Sequence, residues 1–387
     1  MARNGKSPDR PVYLDYNATT PLDSRVFAAM EPWFFAPSNA GSRTHGFGQS
    51  ARDAVDHARH QVANVIGAAP EEIFFTSGAT ESNNIVLFGI AKFAEKTGRR
   101  HIIASSIEHK AVLEPLEELQ RDGFEVELLP VAGGGFVDPD DVLSRLRDDT
   151  LLVSVMHANN ETGVLQPIKQ IGELLRDTDT FFHTDAAQTF GKEIDELRDA
   201  TCDFISFSAH KIYGPQGVGA LCVRRRGSER RPIAPLSYGG GQERGLRPGT
   251  QPVALVAGLG LAAELAQKEH RQRAEIALNV KCDLLDCLKS IDYQINGDQQ
   301  RAQPHVVNLS FTDVDSEALM MAVRDELAFS NGSACTTSTY APSHVLRAMR
   351  FDENRIHSSV RISWGAGLKE IPWHVLLEAV ERFRIRL

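Results

Sequence analysis

The sequence predicts an α/β protein, with a mainly parallel central sheet flanked by helices and a smaller α+β unit at its C-terminal end. Three observations predict it. Apolar runs such as Leu151-Leu-Val-Ser-Val-Met and Phe204-Ile-Ser-Phe do not alternate with polar residues, as expected of strands buried on both faces. Helical segments separate these runs, and strand–helix alternation is the pattern of a parallel sheet. After Pro252 the texture changes to a long Ala/Leu/Gly-rich helical stretch and then shorter strand–helix pieces.

Taken in order, Glu72 to Thr76 reads as a strand, and Gly78-Ala-Thr-Glu-Ser-Asn-Asn as a turn opening a helix through Ala94. His101 to Ser105 is the next strand. Lys110 to Arg121 is a helix, stopped by Gly123, and Glu125 to Leu129 returns as a strand. Leu151 to Met156 is a buried strand and Ile168 to Arg176 a helix. Phe181, Phe204 and Val218 begin three further strands. Val253 to His270 is helical, and Arg273 to Ser290 continues so. Val306 to Phe311 then reads as a strand and Glu317 to Glu326 as a helix. The expected division is a large unit over 16–264 and a small one over 1–15 and 265–387. Val12-Tyr-Leu joins the small unit because it precedes the turn-rich Asp15-Tyr-Asn-Ala-Thr-Thr-Pro.

Composition narrows the function. The 387 residues are 42% hydrophobic and 24% charged, ordinary for a globular chain. A net charge of −9 argues against a global electrostatic grip on nucleic acid. Arg224-Arg225-Arg226, with Arg230 and Arg231, reads as a solvated loop. Five cysteines without a C-x-x-C pair argue against a disulfide framework and a metal site, and for a reducing compartment. The N-terminal residues lack an apolar core, and no run of about twenty apolar residues occurs. A cytoplasmic protein with no membrane partner is expected.

Lys211, in Ser206-Phe-Ser-Ala-His-Lys-Ile-Tyr-Gly-Pro, follows Asp185, in His183-Thr-Asp-Ala-Ala-Gln, by 26 residues. An apolar run precedes each, so amine and carboxylate are expected at the ends of neighbouring strands. That pair suits pyridoxal phosphate: the amine forms an imine, and the carboxylate keeps the pyridine nitrogen protonated. A phosphate needs donors at a helix N-terminus, and Thr76-Ser-Gly-Ala79-Thr80 supplies them. Ser208 and His210 add two more and would share a face in a strand. Thr250 closes a second glycine-rich loop from Gly239. Neither G-x-x-x-x-G-K-[ST] nor G-x-G-x-x-G occurs. His109, at a strand end, suits ring stacking and proton transfer near neutral pH. Asn160 and Gln188 offer amides to a ring hydroxyl, and Arg361 offers a planar fork to a carboxylate. Cys335 lies in Ser330-Asn-Gly-Ser-Ala-Cys-Thr, a run of small and hydroxyl residues expected to form a loop that exposes a nucleophilic thiol. The other four cysteines sit in helical or apolar contexts and are expected to be inert.

These strings, with Leu14-Asp-Tyr-Asn-Ala-Thr-Thr-Pro and His157-Ala-Asn-Asn-Glu-Thr-Gly, resemble the class V aminotransferase superfamily. More narrowly they resemble the group I cysteine desulfurases of the NifS/IscS type, from about residue 12 to about residue 365. The resemblance implies a pyridoxal-phosphate-dependent homodimer of fold type I with the cofactor at the subunit interface. By matching position it implies Lys211 as Schiff-base lysine, Asp185 as pyridinium partner and His109 as stacking histidine. Gln188 and Asn160 would contact cofactor or substrate. Ala79, Thr80, Ser208 and His210 would hold the phosphate, and Thr250 would reach it from the other subunit. Arg361 and Asn39 would hold the substrate carboxylate, and Cys335 would accept sulfur as a persulfide. The implied reaction converts L-cysteine to L-alanine. The sulfur would pass to an acceptor protein, for iron–sulfur assembly or a specialised thiolation pathway such as DNA phosphorothioation. A selenocysteine lyase or aminotransferase on the same fold is the alternative, and neither needs Cys335. Asn39 lacks the proline that often follows it in the family. Ser363-Trp-Gly-Ala stands where the family commonly has Ser-Leu-Gly-Arg. The sequence stops at Leu387, directly after the amphipathic helix expected from Pro372 to Arg384. Related housekeeping proteins often carry a longer tail, so a specialised acceptor is expected.

Overall fold

The computed structural model describes residues 10–226, 229–332, 342–368 and 370–384. The strands are β1 (Val12–Tyr13), β2 (Ile73–Thr76), β3 (His101–Ser105), β4 (Glu125–Leu129), β5 (Thr150–Ser154), β6 (Phe181–Asp185), β7 (Phe204–Ser208) and β8 (Gly219–Val223). There follow β9 (Arg225–Arg226), β10 (Glu229–Arg230), β11 (Gln294–Ile295), β12 (Val306–Ser310), β13 (Leu327–Ala328) and β14 (Ser359–Ser363). The helices are α1 (Ser24–Phe35), α2 (Gly46–Ile66), α3 (Ala79–Thr97), α4 (Lys110–Arg121), α5 (Pro139–Arg145) and α6 (Ile168–Leu175). They continue with α7 (Ile194–Asp199), α8 (Val253–Cys287), α9 (Ser316–Val323), α10 (His344–Ala348), α11 (Glu353–His357) and α12 (Trp373–Arg384).

The central sheet has the order β2-β8-β7-β6-β5-β3-β4. β7, β6, β5, β3 and β4 pair in parallel, while β8 runs antiparallel to both β7 and β2. Successive strand residues feed opposite cores. Phe75, Ile103, Val153, Phe182 and Ile205 enter one hydrophobic cluster, and Phe74, Ile102, Leu152, Phe181 and Phe204 the other. This is why the runs carry no alternation: both faces of the pleat are covered. Helices α1, α2 and α8 pack together, with residues of all three in the first cluster, and residues of α3 and α4 enter the second. Neither α1 nor α2 corresponds to an element read from the sequence.

The single 35-residue helix α8 leaves the first core and supplies Ala277 and Leu284 to a third. That third core joins Leu14 to the antiparallel β11-β12-β14 sheet and to α12, and β1 pairs with β13. Val345, Leu346, Met349 and Ile356 instead pack with the large first core.

Two local expectations are corrected. Ser208 and His210 do not share a strand face, because β7 ends at Ser208 and Ala209–Lys211 is a turn of 3-10 helix. The arginine cluster is not simply a solvated loop. Arg231 forms an ion pair with Asp203 in which both side chains are nearly buried, and Arg224 donates to the Ile66 carbonyl at 2.9 Å. A carboxylate and open helix-end carbonyls fold this segment inward. No helix among the described residues is long and apolar enough to cross a membrane.

Candidate active site

In a parallel sheet, ligand groups gather beyond the carboxyl ends of the strands. Here β2 leads into the start of α3, β3 into His109, β5 toward Asn160, β6 ends at Asp185, and β7 leads into Lys211. Their side chains line one cavity of about 240 Å³. It brings together Ala79, Thr80, His109, Asn160, Asp185, Gln188, Ser208, His210, Lys211 and Arg361. Asn39 is not among them; it is exposed, and its carboxamide oxygen accepts from the Gly41 amide at 2.9 Å. Thr250 is also exposed and outside the cavity. Cys335 lies outside the described residues.

Lys211 Nζ donates to the carbonyls of Asn17 and, at 2.8 Å, Ala18. Asp185 is 5% exposed, and its two oxygens are separately engaged. Oδ2 accepts from Asn83 Nδ2 at 2.7 Å, and Oδ1 from the Ala187 amide at 2.8 Å. His109 caps α4, with Nδ1 accepting from the Ala111 amide at 3.0 Å. That bond leaves the ring proton on Nε2. Burial, with further pressure from Lys211 and His344, lowers its pKa, although Asp185 opposes them. A cation would also be disfavoured at a helix N-terminus. His109 is therefore a neutral ring with one fixed tautomer.

At the start of α3, the Ala79 amide donates to Ser208 Oγ at 2.7 Å. A side chain at Gly219 would put its Cβ 2.6 Å from Gly78 Cα and 2.3 Å from the Phe207 carbonyl oxygen. The bare backbone of Gly219 is what lets the α3 N-terminus sit on the end of β7. His210 Nδ1 lies 3.1 Å from Thr19 Oγ1, and burial holds its pKa near 4. Tyr213 follows with φ 65°, a conformation costing on the order of 1–3 kcal/mol. Its amide is held by Thr20 Oγ1 at 2.8 Å.

Arg361 is 4% exposed on β14. Nη2 meets Asp15 Oδ1 at 2.5 Å and Ser330 Oγ at 3.0 Å, and Nη1 donates to the Asn160 carbonyl at 3.0 Å. The Asn17 carbonyl accepts from Gln188 at 3.0 Å as well as from Lys211, so this one residue ties three parts of the wall together. Sequence reasoning quoted Asn17 and Asn83 within motifs and gave neither a site role. Both stand in polar stretches, Asp15-Tyr-Asn-Ala-Thr-Thr and Thr80-Glu-Ser-Asn-Asn, so nothing local singles them out.

Four buried polar atoms of this wall have no hydrogen-bond partner among the described residues: Asn17 Oδ1, Asn83 Oδ1, Gln188 Oε1 and Arg361 Nε. Buried polar groups are rarely left so, and a polar ligand would answer them. The donor set fits pyridoxal phosphate, with an amine, a buried carboxylate, a flat neutral imidazole and a helix N-terminus flanked by hydroxyls.

Fold and cavity together define a pyridoxal-phosphate enzyme of the aminotransferase type. Residues 12–368 match the family model "Aminotransferase class-V". The chain is 46% identical over 359 residues, 92% of its own length and 88% of the relative's, to cysteine desulfurase IscS of Photorhabdus laumondii subsp. laumondii. The crystal structure of DndA from Streptomyces lividans is similar at 49% identity and TM-score 0.81, covering 90% of this chain and 98% of that one. SspA, solved in complex with cysteine, is similar at 35% identity and TM-score 0.80, covering 91% and 98%. The chain belongs to the class-V aminotransferase family and, within it, to the pyridoxal-phosphate-dependent cysteine desulfurases.

Proposed function

We propose that this cavity removes the sulfur of L-cysteine and passes it to Cys335. The observation that carries the reading is the meeting of Lys211, Asp185, His109 and Arg361 around one cavity. Bound pyridoxal phosphate supplies an electron sink for negative charge developing at the substrate Cα. Asp185, oriented by Asn83, would hold the pyridine nitrogen in its protonated form. His109 would give the ring a flat neutral wall, and Gln188 and Asn160 would address the ring hydroxyl or the substrate. The α3 N-terminus at Ala79, with Thr80, Ser208 and His210, would hold the phosphate. Arg361 fixes the substrate carboxylate, and Asn39 would assist after moving from its present exposed position. Lys211 would anchor the cofactor and, as a free amine, would carry the substrate Cα proton.

In the sulfur step the Cys335 thiolate attacks the substrate sulfur. The carbon–sulfur bond breaks, its electron pair stays with carbon and takes a proton, and L-alanine leaves. Cys335 keeps the sulfur as a persulfide. The persulfide then passes to an acceptor protein, in iron–sulfur assembly or in a thiolation pathway such as DNA phosphorothioation.

The working unit is proposed to be a cytoplasmic homodimer. Phe34, Phe35, Phe47 and Tyr238 are 58%, 84%, 60% and 79% exposed, an apolar set that favours cover by another chain. Thr250, exposed in the same glycine-rich region as Tyr238, would then reach the phosphate of the second copy. The large unit 16–264 and the small unit 1–15 with 265–387 remain the proposed division, supported by the separate third core.

Hydride trapping followed by peptide mass spectrometry tests the cofactor site: the adduct is expected on Lys211, and an adduct elsewhere defeats the assignment. Cys335→Ser is expected to keep the chromophore and lose L-alanine formation from L-cysteine. Undiminished desulfuration in that variant would favour a lyase or aminotransferase reading.

A further inference from the structure

A second cavity, of about 120 Å³, also borders Lys211. Tyr16, Tyr213 and Trp364 give it apolar walls, and Lys192 supplies an amine. Lys192 stands in the turn between β6 and α7 and belongs to none of the groups assigned above. Its Nζ lies 3.1 Å from Nε2 of His305, which is fully desolvated and held well below its ordinary pKa. A neutral imidazole accepts from Nζ but does not balance its charge, and Lys192 has no ion pair among the described residues. The neighbouring carboxylate, Glu193, takes a hydrogen bond from Gln303 at 3.1 Å. Facing the cavity are also Lys211 and, from α8, His270 and Arg273.

Burial and like charge both favour the uncharged amine. They bring Lys192 down to about 7, burial first and Lys211 next, with Glu193 opposing. An amine with a substantial neutral fraction near pH 7, set beside an apolar cavity, is a nucleophile toward carbonyl carbon. Arg273, 4.6 Å from the Tyr213 ring and paired with Glu269 at 2.7 Å, presents a guanidinium to the same space.

We propose that Lys192 is a second imine-forming lysine, which captures small α-oxo acids whose carboxylate is drawn to the Arg273 side of the cavity. The amine adds to the carbonyl carbon, one water leaves, and a carbon–nitrogen double bond replaces the carbon–oxygen one without any redox change. The cavity is of the same order as the roughly 150 Å³ cavity that accepts benzene, so a two- to four-carbon acid has room. The assignment goes beyond the desulfurase reading and does not depend on it.

The test uses the holoenzyme, glyoxylate and cyanoborohydride, with each lysine peptide quantified by mass spectrometry. Any cofactor adduct is separated by its mass. The Lys192 peptide should gain a carboxymethyl group about tenfold faster, or more, than those of exposed Lys96 and Lys268, given its larger neutral fraction. Propanal, which lacks the carboxylate, should label Lys192 several-fold more slowly, and Arg273→Gln should reduce glyoxylate labelling toward the propanal rate. Labelling of Lys192 no faster than the exposed lysines overturns the reactive amine. Equal rates for the two carbonyls, or an unchanged rate in Arg273→Gln, overturn the acid preference.

Discussion

Asp15 Oδ1 sits 2.5 Å from Arg361 Nη2, so the guanidinium proposed to clamp the substrate carboxylate already carries an internal anion. With Ser330 Oγ on the same nitrogen, both Nη2 hydrogens are spoken for. An incoming carboxylate must displace one of these partners to gain a two-pronged grip.

Asp15→Asn is therefore expected to lower KM for L-cysteine by about 3- to 10-fold, because the substrate becomes the sole anion on the fork. The melting temperature should fall at the same time, since a nearly buried guanidinium loses its counter-ion. Steady-state alanine formation against cysteine concentration, with thermal denaturation beside it, measures both. A raised KM would show that Asp15 orients Arg361 rather than competing for it.

Asn83 carries a prediction for cofactor retention. Its amide donates to Asp185 Oδ2 at 2.7 Å. A hydrogen bond to a charged group contributes about 1.5–3 kcal/mol, so Asn83→Ala should weaken pyridoxal phosphate binding by about tenfold or more. The chromophore remaining after dialysis reports the loss.

Gly219→Ala tests the seating of α3. The added methyl cannot coexist with Gly78 Cα at 2.6 Å and the Phe207 carbonyl at 2.3 Å, so the start of α3 must shift. Cofactor affinity should drop with far-UV circular dichroism preserved. Wild-type affinity would mean that the contact relaxes elsewhere.

Glu108, directly before His109, predicts a pH dependence of stability. It is fully buried, with Oε1 accepting from Ser105 Oγ at 2.5 Å and the Met156 amide at 2.6 Å, while Oε2 has no partner among the described residues. Burial pushes its carboxyl up to about 8, against the two hydrogen bonds and with help from Asp185. The folded protein thus holds a proton that the unfolded chain, titrating near 4.5, releases. This contribution is full below pH 4.5 and is lost as pH rises toward 8. Glu108→Gln should flatten that slope and gain on the order of 1–3 kcal/mol near pH 8.5. Denaturant melts at pH 5.5 and pH 8.5 measure it; an unchanged slope rejects the buried proton.

The sequence carried the fold class, since unalternating apolar runs report burial on both faces of a sheet wherever the strands finally pair. It also carried Lys211, Asp185, His109 and Arg361, because the chemistry of each residue and its place at a strand end or in a short motif are local properties. Helix α2 was illegible in function as well as form: its buried Arg59 pairs with Glu243 at 2.8 Å, a residue 184 positions away. Asn39 shows another limit: the resemblance implies a substrate contact there, whereas in the single chain the residue is exposed and stands outside the cavity.

What the chain determined by itself was which chemistries are present and which segments end in them. Tertiary structure alone decided that Asn83 steadies Asp185, that the Asn17 carbonyl accepts from both Lys211 Nζ and Gln188, that Asp15 occupies Arg361, and that Lys192 faces a neutral imidazole. Such contacts join residues separated by about a hundred positions or more, and their hydrogen bonds form only after packing has removed water from both partners. Local sequence encodes propensity and pattern, whereas the pairing of buried polar groups is a property of the assembled core.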